Sequence, residues 1–423
     1  MKPAFALAAA VLAGVAGLGG LAGCVDHQVS PTAGSVTTLN VTLVSPDPGS
    51  PGNPNTLQTA VVNIDALTDD GSHLPIDLTV DIYLSYGGVL AGAAKACGDG
   101  TTVPIETVTL VNGKLENEML TLPAAFGQSS IWVVEHVSHI VGASQPIFFA
   151  NPTIPNIQTP PDPAAPNATF CSAFEKKFVT VDHATGAGEL LIDSVFNGAV
   201  TVVDTGADAY NAIYLFTFGA PAHNVVKGAR MRSFSGNISK FVGFTEVNFP
   251  ILNIDGSVPP DPSKLPAPVD LTPVGTKNLT KLNSLDARTV ELTGTICPMQ
   301  PPNPNNDPNV QSTITQWIKY NAFVLGRVSC DSFNEFAVQL PSKVIGTFDP
   351  TQLVGTKVTI RGMLKNSSGQ TTLTDATGVP IACSDATPCG TGVCVGNICK
   401  KNPFNFWTIA ARDASDINPT STP

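Results

Sequence analysis

The segment most informative about the architecture of this chain is Leu353-Val354-Gly355-Thr356-Lys357-Val358-Thr359-Ile360-Arg361-Gly362. Apolar and polar residues alternate through it, which predicts a β-strand. Glycines precede and end the alternation, and a glycine in such a position indicates a bend or a close approach of two backbones. Short strands that bend at glycines are typical of a small closed barrel.

The same pattern occurs earlier in the chain, and the two copies agree in the order and the glycine positions of four segments. The matched segments are Phe196-x-Gly198-x-Val200 with Leu292-x-Gly294-x-Ile296, Tyr210-Asn211-x-Ile213-x-Leu215 with Phe333-Asn334-x-Phe336-x-Val338, Gly228 and Met231 with Gly355 and Val358, and Gly236-x-Ile238, Gly243 and Val247 with Gly362-x-Leu364, Gly369 and Leu373. This repeat predicts a duplicated β domain, with one copy at 176–262 and the other at 280–417.

The segment 353–362 resembles the OB-fold modules of secreted bacterial proteins, including modules that flank extracellular nucleases. The ending Phe406-Trp407-Thr408-Ile409, followed by Arg412-Asp413-x-x-Asp416-Ile417, is similar to the closing strand of such modules. The resemblance implies two five-stranded barrels in which 353–362 belongs to the middle strands. The nuclease catalytic domain has no counterpart in this chain.

Upstream of the repeat, 36–155 predicts an immunoglobulin-like β-sandwich, because about seven short alternating strands occur within roughly 120 residues. The clearest runs lie at 39–44, 60–67, 78–84, 108–111, 131–135 and 146–149. The turn Val111-Asn112-Gly113-Lys114 and the segment 122–127 after it resemble immunoglobulin-like repeats of bacterial cell-surface proteins. Pro-rich linkers are predicted at 156–175 and 263–279. The fold class predicted for the whole chain is all-β, a sandwich followed by two OB-like five-stranded barrels, stapled by disulfides.

Composition agrees with an all-β exported protein. Charged residues make up only 13% of the chain, whereas glycine (37) and proline (36) are abundant. The formal net charge is −11. This acidity favours solubility and weighs against binding to phosphate backbones, which requires clustered Lys and Arg.

The N-terminus has the form of a secretory signal at 1–23: Lys2, a long apolar run and a small-residue end. Leu21-Ala22-Gly23-Cys24 resembles the lipobox of bacterial lipoproteins. In that family the segment is cut before the cysteine, and lipid (palmitate among its acyl chains) is attached to the thiol and the new amine. The resemblance implies lipidation at Cys24, a tether over 24–35 and a place in the cell envelope, on the outer rather than the inner membrane. An uncleaved transmembrane anchor and an ordinary signal are the alternatives; the run's many glycines and the lack of following stop-transfer charges weigh against an anchor.

The other eight cysteines form an even set, which in an oxidising compartment predicts disulfides. Cys297 and Cys330 bracket the Pro/Asn loop 301–308 and predict a bridge that closes it. Four more cysteines, Cys383, Cys389, Cys394 and Cys399, allow three pairings among themselves. By elimination, Cys97 pairs with Cys171. Zinc is the alternative for the four, but structural zinc sites favour tighter cysteine pairs.

Motifs for catalysis, metal binding or cofactor binding are not found. Glu135-His136-Val137-Ser138-His139 lacks the H-E-x-x-H order, and residues three apart on a strand point to opposite faces. The chain contains neither a Gly-x-Ser-x-Gly elbow nor a Walker loop. We therefore expect no catalytic residue, no metal and no cofactor.

One basic segment suggests an alternative. On an OB-like barrel, Arg230, Arg232 and Phe234 have the mixture of cation and aromatic that tracks single-stranded nucleic acid; the competing interpretation is a solvated strand face above a core. The functional hypothesis is a lipid-anchored, extracytoplasmic, non-enzymatic binding or structural protein of the bacterial envelope. Its partners would be the membrane, through the lipid, and an envelope protein or surface ligand that meets the loops 301–308 and 383–399. The alternative is an OB-fold accessory that binds single-stranded nucleic acid outside the cell, a partner that the acidity disfavours.

Overall fold

The computed structural model describes fourteen segments of the chain, and these confirm the predicted fold class: all-β, with an immunoglobulin-like sandwich followed by two OB-like barrels. The described residues are 36–86, 89–91, 104–160, 172–183, 188–241, 243–275, 278–298, 321–330, 335–341, 348–366, 381–382, 392–395, 398–401 and 407–419. Among them, no helix has the length and apolarity needed to cross a bilayer.

The sandwich has two sheets that share one core. Its strands are β1 (Thr38–Ser45), β2 (Thr59–Leu67), β3 (Leu78–Tyr86), β4 (Val89–Ala91), β5 (Glu106–Leu110), β6 (Lys114–Thr121), β7 (Gln128–Glu135), β8 (Val141–Ala143) and β9 (Ile147–Phe148). One sheet has the order β1-β2-β6, and the other has the order β4-β3-β7-β8, with β5 also on β3 and β9 also on β7. Alternate residues such as Val62, Ile82 and Val133 point inward and are fully buried. Asn112 and Gly113 form the predicted turn before β6, both with positive φ, as a tight hairpin turn requires.

The first barrel, here called barrel 1, follows a short helix, α1 (Ile154–Gln158). Its strands are β10 (Phe178–Asp182), β11 (Leu190–Phe196), β12 (Ala199–Asp204), β13 (Ala212–Phe216), β14 (Arg230–Phe241) and β15 (Phe244–Ile254). Strands β11, β12, β13, β15 and β14 form the ring, which closes where β14 pairs with β15. Strand β10 pairs with β14 along the edge that β11 also uses, from Ser233 to Asn237. Strands β13 and β15 are parallel.

The second barrel, barrel 2, repeats this topology, and α2 (Leu279–Asn283) precedes its ring strands. Its strands are β16 (Val269–Asp270), β17 (Thr289–Ile296), β18 (Ala322–Gly326), β19 (Glu335–Gln339), β20 (Lys357–Asn366), β23 (Trp407–Ala410) and β24 (Ile417–Pro419), and a separate hairpin of β21 (Gly392–Val395) and β22 (Ile398–Lys401) precedes the last two. The ring is β17-β18-β19-β23-β20, closed by β17 with β20, and β19 and β23 are parallel. The diagnostic segment thus ends in β20, and β23 is the closing strand that the sequence predicted.

The matched glycines Gly236 and Gly362 occupy the same place in the two barrels, where the fourth ring strand crosses the closing strand. A Cβ on Gly236 would lie 2.5 Å from Val247 Cγ1, and a Cβ on Gly362 would lie 2.5 Å from the carbonyl oxygen of Ala410. Real Cβ atoms do not approach so closely, so both positions require glycine. This part of the predicted repeat therefore has a steric cause.

Two parts of the predicted repeat differ from the structure. Residues 196–200 span the hairpin between β11 and β12, whereas Leu292–Ile296 lies inside the single strand β17. The match of Val247 with Leu373 pairs the closing strand of barrel 1 with a residue outside the described part of the chain, and barrel 2 closes with β23 instead. A long insertion before β23 displaced the sequence match.

The predicted linkers also take part in the domains. The predicted linker 156–175 begins inside α1 rather than as extended chain. Ile157 of this linker and Ile154 just before it are buried in the core of barrel 1 together with Tyr86 of the sandwich. The proline at the second position of the helix is compatible with a first helical turn, where no amide hydrogen bond is lost. In the second predicted linker, β16 pairs with β17, and Leu271 is fully buried in the core of barrel 2.

Candidate interaction surfaces of the barrels

The outer face of β12 and β13, where OB-type barrels bind their ligands, is covered in barrel 1. Val200 and Val202 point into the barrel core, so the alternating residues Ala199, Thr201 and Val203 point outward. These three outward residues are nevertheless at most 1% exposed. A neighbouring part of the chain must therefore lie on this face.

Barrel 2 contacts barrel 1 next to this face, at β11 and at the entry to β13. The Asp193 carboxylate on β11 accepts hydrogen bonds from the Thr289 amide (3.2 Å) and the Thr289 hydroxyl (2.6 Å) on β17. The Tyr210 amide, at the entry to β13, donates to the Ser284 carbonyl oxygen at 2.8 Å. Asp193 and Thr289 are both buried, so these bonds form inside the contact between the barrels. The side of barrel 1 that carries Asp193 and Tyr210 thus serves as a domain interface.

A group of ionisable side chains lies in the same interface. The Nζ atom of Lys365 on β20 is 4.4 Å from the ring centroid of Phe244 and 5.5 Å from that of Phe241, both on barrel 1. Burial lowers the pKa of Lys365, although the negative charges of Glu246 and Asp286 act in the opposite direction and raise it. Burial likewise raises the pKa of Glu246, and it raises the pKa of Asp286 to about 7.

Such a cluster of shifted pKa values is a candidate for acid–base chemistry, but the Asp286 carboxyl is engaged in holding the barrels together. It accepts a hydrogen bond from the Asn366 amide at 3.1 Å. The amides of Ala287 and of Thr245, the latter on barrel 1, also donate to it. Lys365, which lies over two aromatic rings of barrel 1, and Asp286, which accepts hydrogen bonds from both barrels, thus stabilise the contact between the barrels. This group of ionisable side chains was not predictable from the sequence, because its members are far apart in the chain.

The basic residues predicted as nucleic-acid contacts are both paired with one acidic neighbour, Asp255. Arg230 Nε donates to Asp255 Oδ2 at 2.9 Å and Arg232 Nη2 donates to Asp255 Oδ1 at 2.9 Å. Hydrogen bonds from the Ser257 hydroxyl and from both arginines hold the pKa of Asp255 well below its usual range. Arg230 also pairs with Glu189, which binds Lys264 as well. Two carboxylates, Asp255 and Glu189, thus offset most of the charge of the three cations Arg230, Arg232 and Lys264.

Phe234 is not on the surface, which corrects the third predicted contact. It is fully buried in the core of barrel 1, whereas Arg232 is exposed. The register of β14 against β15 shifts between Met231 and Ser233. Such a bulge changes the phase of the alternation, so that both Met231 and Phe234, three positions apart, point inward.

A patch of exposed apolar side chains lies at the other end of β13. We call Phe216, Phe218, Phe249 and Ile251 the aromatic patch. The Phe218 ring is 4.1 Å from the Phe216 centroid and stacks on Phe249 at 4.5 Å with an interplanar angle of 18°. The exposed fractions are 56% for Phe218, 68% for Phe249 and 66% for Ile251. Isolated exposed apolar residues are ordinary, but a contiguous group indicates a contact surface.

The backbone holds this patch in an unusual conformation. Phe218 has φ 61° and Phe249 has φ 52°, a left-handed region that favours glycine and is an outlier for a bulky residue. Phe249 and Pro250 form a bulge, since Ser235 pairs with Ile251 and Asn237 pairs with Asn248. Bulges redirect side chains and occur often beside functional sites. Two phenylalanines in glycine-like conformations, stacked on each other in solvent, are a structural sign of function.

The disulfide between Cys297 and Cys330 is present, with an S–S distance of 2.10 Å, and closes the insertion between β17 and β18. Cys394 and Cys399 are opposite each other in the hairpin of β21 and β22. The other predicted positions, Cys24, Cys97, Cys171, Cys383, Cys389 and the loop 301–308, lie outside the described residues.

Glu135 and the histidines beside it have structural roles. The Glu135 carboxylate accepts hydrogen bonds from the Val137 amide at 2.9 Å and from the Ser138 amide and hydroxyl. His136 Nε2 lies 2.8 Å from Asp81 Oδ2. A search of the described residues finds no group of three or more potential metal ligands. The carboxylate of Glu135 thus closes the turn after β7.

Comparison with protein-family models, with curated proteins and with solved structures finds no match for this chain. The site residues therefore rest on geometry alone. Of these, the aromatic patch has a sequence signal that sequence analysis did not use: its two segments, Phe216–Ala222 and Asn248–Ile254, contain no charged residue.

Proposed function

We propose that this protein is a lipid-anchored, extracytoplasmic binding or structural component of the bacterial cell envelope, without catalytic activity. The lipid on Cys24 attaches it to the membrane, with the outer membrane as its location. Barrel 2 presents the contact surface for an envelope protein or surface ligand through the loops 301–308 and 383–399.

The observation that carries the proposal is the buried contact between the barrels, in which Asp193 of barrel 1 accepts hydrogen bonds from Thr289 of barrel 2. This contact, and the shared core of the sandwich and barrel 1, favour a scaffold that holds barrel 2 in a fixed position. The Cys297–Cys330 disulfide restrains the loop that it closes. A restrained loop loses little conformational entropy when it binds, which supports this loop as a contact.

The test is mild crosslinking of whole cells, purification of the protein and mass spectrometry of what is recovered with it. The same sample reports acylation of Cys24, and a variant in which a cleavable secretory signal replaces 1–24 should leave the membrane fraction. A variant with 301–308 replaced by a Gly/Ser segment of equal length should lose the crosslinked partner. A control with the exposed sandwich turn 51–54 replaced in the same way should keep it.

Retention of the partner by the 301–308 variant would reject this loop as the contact surface. An unmodified Cys24 would reject the lipid anchor. These two results are independent of each other.

Binding of single-stranded nucleic acid is the weaker proposal. Arg230 and Arg232 are paired with Asp255, Phe234 is buried, and the outer face of β12 and β13 is covered. This proposal would be favoured if the parent protein were retained on single-stranded DNA in a salt-sensitive way and the Arg230→Ala/Arg232→Ala variant were not.

A further inference from the structure

The aromatic patch has the chemistry of a surface that enters an apolar medium. Its segments Phe216–Ala222 and Asn248–Ile254 contain no charged side chain in a chain of net charge −11. Protein interfaces surround their apolar centre with a polar rim and are enriched in arginine. Acyl chains, in contrast, provide no partner for charges or hydrogen bonds and require none.

The backbone near the patch also suits burial in lipid, where polar groups must be satisfied within the protein. The Thr217 amide donates to the Gly198 carbonyl oxygen at 2.8 Å, and the Gly219 amide donates to the Thr217 carbonyl oxygen at 2.7 Å. Pro221 and Pro250 have no amide hydrogen. Part of the backbone of the turn that carries Phe218 is therefore hydrogen-bonded within the protein.

The length of the N-terminal tether favours a bilayer over other apolar partners. The segment 25–35 separates Cys24 from the first described residue, Val36, and a fully extended chain of that length spans at most about 40 Å. Barrel 1 packs directly on the tethered sandwich, through Tyr86 and α1. A lipid on Cys24 would thus keep barrel 1 near the membrane and raise the effective concentration of the bilayer at its surface.

We propose that the aromatic patch inserts into the outer part of the bilayer to which Cys24 is anchored, and that it is a second, non-covalent membrane contact. This inference rests on the proposed function for its tether. Phe218, Phe249 and Ile251 enter the boundary between headgroups and acyl chains, as apolar faces of interfacial segments do. The strained backbone at Phe218 and Phe249 keeps the two rings exposed when no bilayer is present.

The experiment uses the full-length acylated protein in vesicles of phosphatidylcholine, with and without bromine on the upper part of the acyl chains. A Phe249→Trp variant should show fluorescence quenched by the brominated lipid beyond that of the native tryptophans. A matched Val137→Trp variant, at a position on the sandwich that is 87% exposed, should not. Unquenched Phe249→Trp in protein that remains on the vesicles would overturn the inference.

A second measurement separates the patch from the anchor. The unacylated protein from residue 25 onward should partition weakly onto the same vesicles, and the Phe218→Gly/Phe249→Gly substitutions should lower its partition coefficient by about 10- to 100-fold. Glycine suits the backbone at both positions, so this variant should fold. An equal partition coefficient for the two proteins would overturn the inference whether or not Cys24 is acylated. A dimer that forms without lipid and shields Phe249→Trp from water would also overturn it, in favour of a second copy of the chain as the occupant.

Discussion

Phe218 and Phe249 adopt a backbone conformation in which a side chain is normally a disadvantage. For an L-residue the left-handed conformation costs roughly 1–2 kcal/mol, and glycine avoids this cost. Stacking of two rings returns only about 0.5–1.5 kcal/mol. The choice of phenylalanine at these positions is therefore better explained by what the rings contact than by stability.

The strain at Phe249 can be tested by whether a glycine variant is more or less stable than an alanine variant at the same position. Phe249→Gly should be more stable than Phe249→Ala by about 1 kcal/mol, because both lose the ring and only alanine keeps the conformational cost. At Ile251 in the same strand, where φ is not positive, Ile251→Gly should be less stable than Ile251→Ala by about 0.5–1 kcal/mol. Urea unfolding of the four variants measures both differences. Alanine more stable than glycine at Phe249 would show that the position is not strained.

The direction in which a side chain points was predictable from the sequence where simple alternation holds, and it was not predictable where a bulge interrupts the alternation. Arg230 and Arg232 are outside and Met231 is inside, as alternation predicts. Phe234 is inside because of a bulge that no single residue in the segment signals. The pairing of the arginines with Asp255 was equally hidden, since it joins residues more than twenty positions apart.

At the scale of elements, the glycines that match between the barrels identify where strands cross. Gly236→Ala should destabilise the protein by about 1–3 kcal/mol, because the new methyl group would overlap Val247 and the Asn248 carbonyl oxygen. Gly256→Ala is the control, since nothing lies within 4 Å of its Cβ position. Thermal unfolding followed by circular dichroism compares the two. A similar loss of thermal stability in both variants would mean that the crowding where the strands cross is not what destabilises Gly236→Ala.

The Cys297–Cys330 disulfide makes a separate prediction. It closes a loop with a sequence separation of 33, and restriction of the unfolded chain by a loop of this size stabilises a protein by roughly 3–4 kcal/mol. The Cys297→Ser/Cys330→Ser variant should be less stable by about this amount in denaturant. A reducing agent should destabilise the parent protein but cause no further loss at this site in the variant.

Strands were easier to predict than their partners. Alternation and turn residues located most described strands of the sandwich, and the repeat located the fourth ring strand of both barrels. The function of the Pro-rich segments was not predictable from composition, because proline suits both an extended linker and the first turn of a helix. Ile154 and Ile157 are the residues that place α1 in a core, and two isoleucines are too weak a signal without the fold.

At the scale of the whole molecule, the contact between the barrels makes stability depend on pH. Asp286 has a pKa of about 7 in the folded protein and a reference value of 3.8. Between these values the folded state holds a proton that the unfolded chain has released. The contribution of Asp286 is therefore most favourable below about pH 4 and is lost as the pH rises through 7.

The Asp286→Asn variant should remove this dependence. Its stability relative to the parent should increase by roughly 1–4 kcal/mol between pH 4 and pH 8, measured by denaturant unfolding at each pH. Asp261→Asn is a control, since hydrogen bonds from the Ser263 side chain and amide lower the pKa of the exposed Asp261 carboxyl, so it is ionised throughout pH 5–8. A flat difference for Asp286→Asn would mean that the buried carboxyl is charged in the folded protein.

The covered face of barrel 1 also has a consequence for biogenesis. Synthesis proceeds from the N-terminus, and domains generally fold in that order. Barrel 1 is thus completed at Ile254, before Ser284 and Thr289 of barrel 2 have emerged. During that interval the side of barrel 1 that carries Asp193 and Tyr210 faces water, and the nascent chain exposes a surface that the finished protein buries. Chains interrupted between the barrels should therefore be the ones that associate with chaperones or aggregate, although barrel 1 itself is complete.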